Sequence, residues 1–355
     1  MTTSRGFPGW LATRHDDCEA ALRHPHLRED LTRATATLGL RRDDLAGSPD
    51  PAAALLTSHM LNSDPPRHAR LRSLVGGALT EQYARQLRSH VAETADVLLD
   101  RMGRQAPGTV IDLIESFARP LSADVIRTML GIPAADVRAL LEWTRTIVAS
   151  VPGAGLTRAA TEAVSYVDRL VERRRERPSE DLLSELVHVA AEGDRLTRDE
   201  LVTIALLLIG ASHDSTVGFI GNAVLALLAD PDLAASLRAD PEVLPQAVEE
   251  LTYHDGFGGM AQHRVAAKAL ELGGVVVQEG ESVVVSLLAV GRGGTAVPGT
   301  GLHPCLGTPL ARMGARVAVE RLITRFEGLH AAAPLDELRH SVSERGAESL
   351  PVRTG

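Results

Sequence analysis

Residues 297–311 read Val297-Pro298-Gly299-Thr300-Gly301-Leu302-His303-Pro304-Cys305-Leu306-Gly307-Thr308-Pro309-Leu310-Ala311, with Arg312 next. Proline in a first turn predicts a helix from Thr308 to about Phe326, because its missing N–H would find no intrahelical partner there anyway. Glycines at 299, 301 and 307 let the backbone bend and approach something flat and bulky. A thiol just ahead of a helix start faces the positive end of the dipole, which favours the thiolate, the form that binds metal. Taken alone, such a cysteine reads as a buried residue in a tight turn. What surrounds it decides the matter.

The next long signal upstream is a helix from about Thr197 to Leu228. Thr197 followed by Glu200 forms a capping box. Its middle reads Leu208-Ile209-Gly210-Ala211-Ser212-His213-Asp214-Ser215-Thr216. Small and polar residues inside an apolar helix weaken it, because Ser and Thr hydroxyls bond back to the carbonyl four residues earlier. Because of this polar run, the helix is expected to fall short of a membrane span.

Working outward, Met60-Leu61-Asn62-Ser63-Asp64-Pro65-Pro66-Arg67-His68-Ala69-Arg70-Leu71-Arg72 predicts a helix start at Asp64. His68 and Arg72 then share one helical face. Thr80 to Met102 is amphipathic, with Tyr83, Leu87, Val91, Ala95 and Leu98 at helical spacing. Further helices are expected at about 117–131, 134–150, 157–177, 231–238 and 241–253. Gly9 to Arg14 reads as a short strand, followed by a helix with Asp16 and Asp17 in its first turn. Gln262-His263-Arg264-Val265-Ala266 opens a strand region, and 275–285 reads as a hairpin turning at Glu279-Gly280. Arg339 to Val352 reads as a last short hairpin.

Hydrophobic residues make up 44% of the 355-residue chain and charged residues 23%, so a large core is feasible. Aromatics are only 3%, which leaves Ala, Leu and Val to fill it. A net charge of −9 argues against nucleic acid as a partner. Cys18 and Cys305 are too few for a disulfide framework and suit a reducing compartment. With no apolar signal core at the start, the chain reads as soluble and cytoplasmic, with no membrane partner. His303 and Cys305 lack a second Cys/His pair at zinc spacing, and Gly291, Gly293 and Gly294 do not open a helix after a strand as a dinucleotide fingerprint would.

The cysteine loop, with Leu306-Gly307 and the Ala311-Arg312 helix, resembles the haem-ligand loop of the cytochrome P450 family. The resemblance runs from about Trp10 to Val352, with separate motifs in order. It implies a mainly α, triangular helical fold with small β-sheets around a long central helix, as a single domain over 1–355. It implies haem b, with Cys305 as the proximal thiolate that favours O–O cleavage. His303, His68, Arg72 and Arg264 would contact the haem propionates. Asp214 and Ser215, with Thr216 beside them, match the acid and alcohol that relay protons. Arg67 and Arg70 would face outward toward an acidic ferredoxin-type electron donor. The implied activity is monooxygenation of a small hydrophobic natural product in secondary metabolism.

Several positions depart from the family pattern. Pro298 stands where the loop normally begins with an aromatic, and Ser212 replaces a glycine of the central notch. Neither Glu249 nor Glu250 has its arginine three residues on, since Thr252 and Tyr253 occupy those places. The meander before the cysteine loop shrinks to Gly291-Arg292-Gly293-Gly294-Thr295-Ala296, and the helix and strand that relatives carry before Gly9 are absent. An orphaned glutamate would turn outward or shift its pKa. These losses frame two alternatives: a haem-free homologue serving as an auxiliary partner, for example activating a glycosyltransferase, or a haem-independent enzyme using the same pocket.

Overall fold

The computed structural model describes residues 9–29, 51–56, 58–149, 154–191, 194–240, 242–255, 261–286, 289, 305–341 and 346–355. The chain divides into two compact units. One comprises Met1–Ala78, Thr128–Gly210 and Met260–Cys305; the other comprises Leu79–Arg127, Ala211–Gly259 and Leu306–Gly355.

The first unit holds a four-stranded sheet in the order Gly9–Ala12, Ser282–Ser286, Ala261–Ala266, Leu27–Arg28. The first pair is parallel and the other two are antiparallel. Val283 and Val285 are buried on it with Cys18, Ala21, Leu22 and Leu27, the β-branched side chains filling a pleated surface. Leu27 pairs with Ala266 and Arg28 with Val265. That register delivers Glu29, the next residue, beside the strand that carries Arg264.

A hairpin does form here, but not where the sequence reading set it. Leu270–Leu272 pairs antiparallel with Val275–Val277 across Gly273 and Gly274, whose φ values are +60° and +81°. Two glycines in the left-handed region make a two-residue turn whose twist matches the strands. The chain then turns again at Glu279–Gly280 and enters the other sheet, so 275–277 and 282–286 are not partners. The apolar run on both sides of Glu279 hid the stronger Gly-Gly signal.

Helices complete this unit. Arg67–Ala78 buries Leu71, Leu74, Val75 and Ala78. Ala154–Glu176 ends in Arg173, Arg174 and Arg175, of which Arg174 is tied down inside the protein. Its Nε donates to Asp181 Oδ2 at 2.6 Å and its Nη2 to the Gly131 carbonyl at 2.8 Å. Asp181 also caps the Leu182–His188 helix, accepting from the Ser184 amide at 2.8 Å.

In the second unit Glu81–Gly103 packs on Thr308–Arg325. Tyr83, Leu87, Val91, Ala95 and Leu98 are all buried, as their spacing predicts, and Thr80 caps the helix by accepting from the Tyr83 amide. Ala315, Val319 and Ile323 of the second helix bury against Ala223, Leu227, Leu244 and Val248. The strands Ile111–Asp112, Pro351–Arg353 and His330–Ala331 form a small sheet, and His340–Ser341 pairs with Gly346–Ala347 as the expected terminal hairpin.

The central helix runs Arg198–Ala229. Its capping box is formed: the Glu200 amide donates to Thr197 Oγ1 at 3.2 Å, and the Thr197 amide donates to Glu200 Oε2 at 2.9 Å. The helix is continuous through the polar run, as the expected bounds of Thr197 to Leu228 have it, and what does not hold is the expectation that it falls short of a membrane span. By length and composition this helix could cross a membrane, but 67% of its most apolar stretch is buried, as in a core helix.

Candidate functional site

The Thr308–Arg325 helix begins where Pro309 predicts, with Gly307 as its N-cap residue. Cys305 stands just ahead of that start and is exposed, so the reading of a buried structural thiol does not hold. Cys18 is the buried one: its thiol donates to the Ala12 carbonyl at 3.2 Å, and burial pushes its pKa up. His303 lies outside the described residues.

Around Cys305 the first unit gathers a set of charged and polar side chains. Burial pushes the Arg72 guanidinium down in pKa, and Cys305 is close enough to oppose that shift. His68, one turn earlier on the same helix, is buried; desolvation first, and then Arg72, lowers its pKa, while Asp64 pulls the other way. The imidazole is therefore neutral at neutral pH and can donate one N–H without carrying charge. Asp64 accepts at Oδ1 from the Glu29 amide at 3.2 Å. It also lies near enough to raise the pKa of Arg264.

Arg264 itself is closed off. Its Nη2 stands 2.5 Å from Glu29 Oε1, with the two side chains 4% and 1% exposed. The same nitrogen donates to Gln262 Oε1 at 2.7 Å, and Nη1 donates to the His263 carbonyl at 3.1 Å. Burial dominates Glu29, whose pKa is pushed up to about 7 even beside this guanidinium. His68, Arg72 and Cys305 thus come together as expected. Arg264 joins them, but already paired.

Asp64 and Glu29 were missed by the sequence reading as site residues. Asp64 had a signal, an acid four positions before His68, but it was spent on the helix start. Glu29 had none, because only the pairing of Leu27–Arg28 with the Ala261–Ala266 strand brings it to Arg264.

Arg70 does not face outward for a partner. It binds Asp194, donates to Glu200 Oε1 at 2.6 Å and donates to the Arg195 carbonyl at 2.8 Å. Arg67 donates to Ser63 Oγ and the Ser58 carbonyl. Both cations are used internally, and the expected docking role is withdrawn for Arg70.

In the second unit, Asp214, Ser215 and Thr216 are half-buried on the central helix, and Ala211 is exposed although it lies mid-helix. Ser215 Oγ donates to the Ala211 carbonyl at 2.6 Å, the back-bond its sequence predicts. His213, passed over as part of the notch, is buried: Ser122 Oγ donates to its carbonyl at 3.2 Å and lies 3.1 Å from its Nδ1. Of the two unpaired glutamates, Glu250 is exposed and accepts from Gln246 Nε2 at 3.0 Å, so it turns outward. The Glu249 side chain lies outside the described residues.

No family model matches the sequence. Individual relatives do. Cytochrome P450 107B1 of Saccharopolyspora erythraea is 37% identical over 374 aligned positions, which cover 100% of this chain and 91% of that protein. The chain belongs to the cytochrome P450 family. Cytochrome P450 monooxygenase PikC of Streptomyces venezuelae is 36% identical across 99% of this chain and 87% of its own length. Among solved structures, the bacillaene polyketide synthase cytochrome P450 PksS of Bacillus subtilis superposes with a TM-score of 0.87 at 30% identity, covering 100% of this chain and 92% of that one. The fold is therefore the mainly α P450 fold, and the chain is a haem-thiolate monooxygenase that uses haem b, a redox partner and a small-molecule substrate. The relatives named are P450s, and neither the auxiliary-partner reading nor that of a haem-independent enzyme finds support in them.

The residues of this P450 fit that cofactor. An exposed sulfur at a helix start is a soft donor suited to iron. Near it lie the half-buried Arg72 guanidinium and the buried His68 imidazole, donors that suit carboxylates of the cofactor.

Proposed function

We propose that this P450 oxidises a small hydrophobic natural product in secondary metabolism, taking electrons from a ferredoxin-type donor in the cytoplasm. The names of several relatives support that substrate class, among them 6-deoxyerythronolide B hydroxylase of Saccharopolyspora erythraea and mycinamicin IV hydroxylase/epoxidase of Micromonospora griseorubida. Cys305 is the iron ligand, and His68, Arg72 and His303 hold the propionates; Arg264, expected to join them, is engaged by Glu29. When bound, the thiolate-ligated haem activates dioxygen, so that one oxygen atom enters the substrate and the other leaves as water, for two electrons and two protons.

The protons are the task of the central helix. Asp214 supplies a carboxylate that can take up and pass on a proton, and Ser215 a hydroxyl beside it. Ser215 donates its hydrogen to the Ala211 carbonyl, so its lone pairs are free to accept. Passing that hydrogen onward requires only rotation of the hydroxyl away from the carbonyl. Positioned acid–base groups of this kind contribute roughly 10²–10⁴-fold.

The observation that carries the assignment is the exposed Cys305 with the half-buried Arg72 close to it. The test is a carbon monoxide difference spectrum of the reduced protein, run on wild type and Cys305→Ser. Wild type is expected to give the thiolate-type Soret band, and the variant to lose it. Equal spectra from both proteins would remove Cys305 as the ligand.

A further inference from the structure

Haem brings two carboxylates, and each needs a cation in a partly desolvated place. Among the described residues of the first unit, the cations near Cys305 are not equivalent. Arg72 lies close enough to the Cys305 sulfur for the two charges to act on each other. Arg264 is different, because a carboxylate is already there. Glu29 Oε1 lies 2.5 Å from Nη2, and Gln262 Oε1 accepts a hydrogen bond from that nitrogen at 2.7 Å. That terminal nitrogen is thus engaged twice inside the protein, once by an ion pair and once by a hydrogen bond.

We propose that Glu29 occupies Arg264 in place of a haem propionate, so that cofactor affinity in this chain is set by competition between a resident carboxylate and a visiting one. The inference rests on reading His68, Arg72 and Cys305 as the propionate and iron side of the site. It adds that Arg264, the strand arginine expected to serve the cofactor, is masked by the residue that follows the neighbouring strand of the same sheet. The groups acting on Glu29 are Arg264, which favours its ionised form, and Asp64, which opposes it. Above pH 7 the carboxylate is mainly ionised and the mask is closed. The cost is an Arg264 that contributes nothing to haem binding. The gain is a buried guanidinium whose charge is balanced before the cofactor arrives, which avoids the large penalty of an unpaired buried charge.

The test is an absorbance titration of cofactor-free protein with haemin at pH 8. Glu29→Gln is expected to bind haemin about tenfold more tightly than wild type, the value of one recovered charge-assisted hydrogen bond. It should show no such gain toward haemin dimethyl ester, whose carboxylates are masked. No gain with haemin, or an equal gain with the ester, overturns the proposal. Should the single variant fail to fold, E29M/R264M replaces the pair with apolar chains of similar length, an exchange buried ion pairs commonly tolerate. That protein is expected to bind haemin within about twofold of wild type, since a masked arginine has nothing to lose, and a loss of about tenfold overturns the idea. Arg72→Gln reports separately on the underlying reading: unchanged haemin affinity there would show that this cluster does not hold the cofactor's carboxylates, whatever Glu29 does.

Discussion

A single carboxylate shows how burial and charge compete in this molecule. Glu29 sits against a guanidinium, which should lower its pKa, yet burial wins and holds it at about 7. The folded protein therefore keeps a proton on Glu29 at pH values where the unfolded chain, with an ordinary glutamate near 4.5, has lost it. Stability on this account is greatest below the unfolded value and falls as pH rises toward and through 7, by up to about 3 kcal/mol. Urea unfolding midpoints measured from pH 5 to 8 should drop with pH in wild type. Glu29→Gln should flatten that slope, and an unchanged slope in the variant would assign it to other groups. Ser215 shows the reverse case, in which chemistry was legible directly. Its hydroxyl makes the back-bond to Ala211 that any serine at that place in an apolar helix would be expected to make.

At the scale of elements, Asp181 joins two functions in one side chain. It caps the Leu182–His188 helix and neutralises Arg174, which also reaches back to the Gly131 carbonyl. An ordinary N-cap is worth about 1 kcal/mol. Asp181→Ala removes the cap and also strands a mostly buried guanidinium, so the expected loss is about 3 kcal/mol or more in chemical denaturation. Gly131 belongs to the same joint: a Cβ there would lie 1.8 Å from Arg174 Nη2, and its φ is +63°. Elements of this sort were legible where a local rule governs them. Helical spacing marked the buried face of Glu81–Gly103, and Thr197 with Glu200 marked the start of the central helix. The strands were less so, because which strand meets which is not a local property. The segment 275–277 pairs back across Gly273–Gly274, while 282–286 pairs with strands far away in sequence. Glu29 reaches Arg264 by the same route, and Arg70 finds Asp194 and Glu200 from more than 120 positions away. No motif encodes such meetings.

Across the whole molecule, the helix start behind Cys305 was the most readable feature and the sheet contacts of Arg264 the least; residues 297–304 of the cysteine loop lie outside the described residues. The relative aligned at 37% identity spans 374 positions against the 355 residues here, so it carries residues that this chain lacks. The family assignment survives those differences because the thiol, the His68–Arg72 face and the acid–alcohol turn sit on separate elements, each specified by its own local sequence. One further consequence belongs to the two sulfurs. The sequence holds only Cys18 and Cys305, and the first is wholly buried while the second is exposed. To an alkylating reagent the native protein therefore offers one reactive group. Iodoacetamide followed by mass measurement should add a single carbamidomethyl to the cofactor-free protein, at Cys305, and two after denaturation. Loading with haem should suppress the native adduct in proportion to occupancy. The chain carries its own internal gauge of how much of a preparation is filled, read by weighing it.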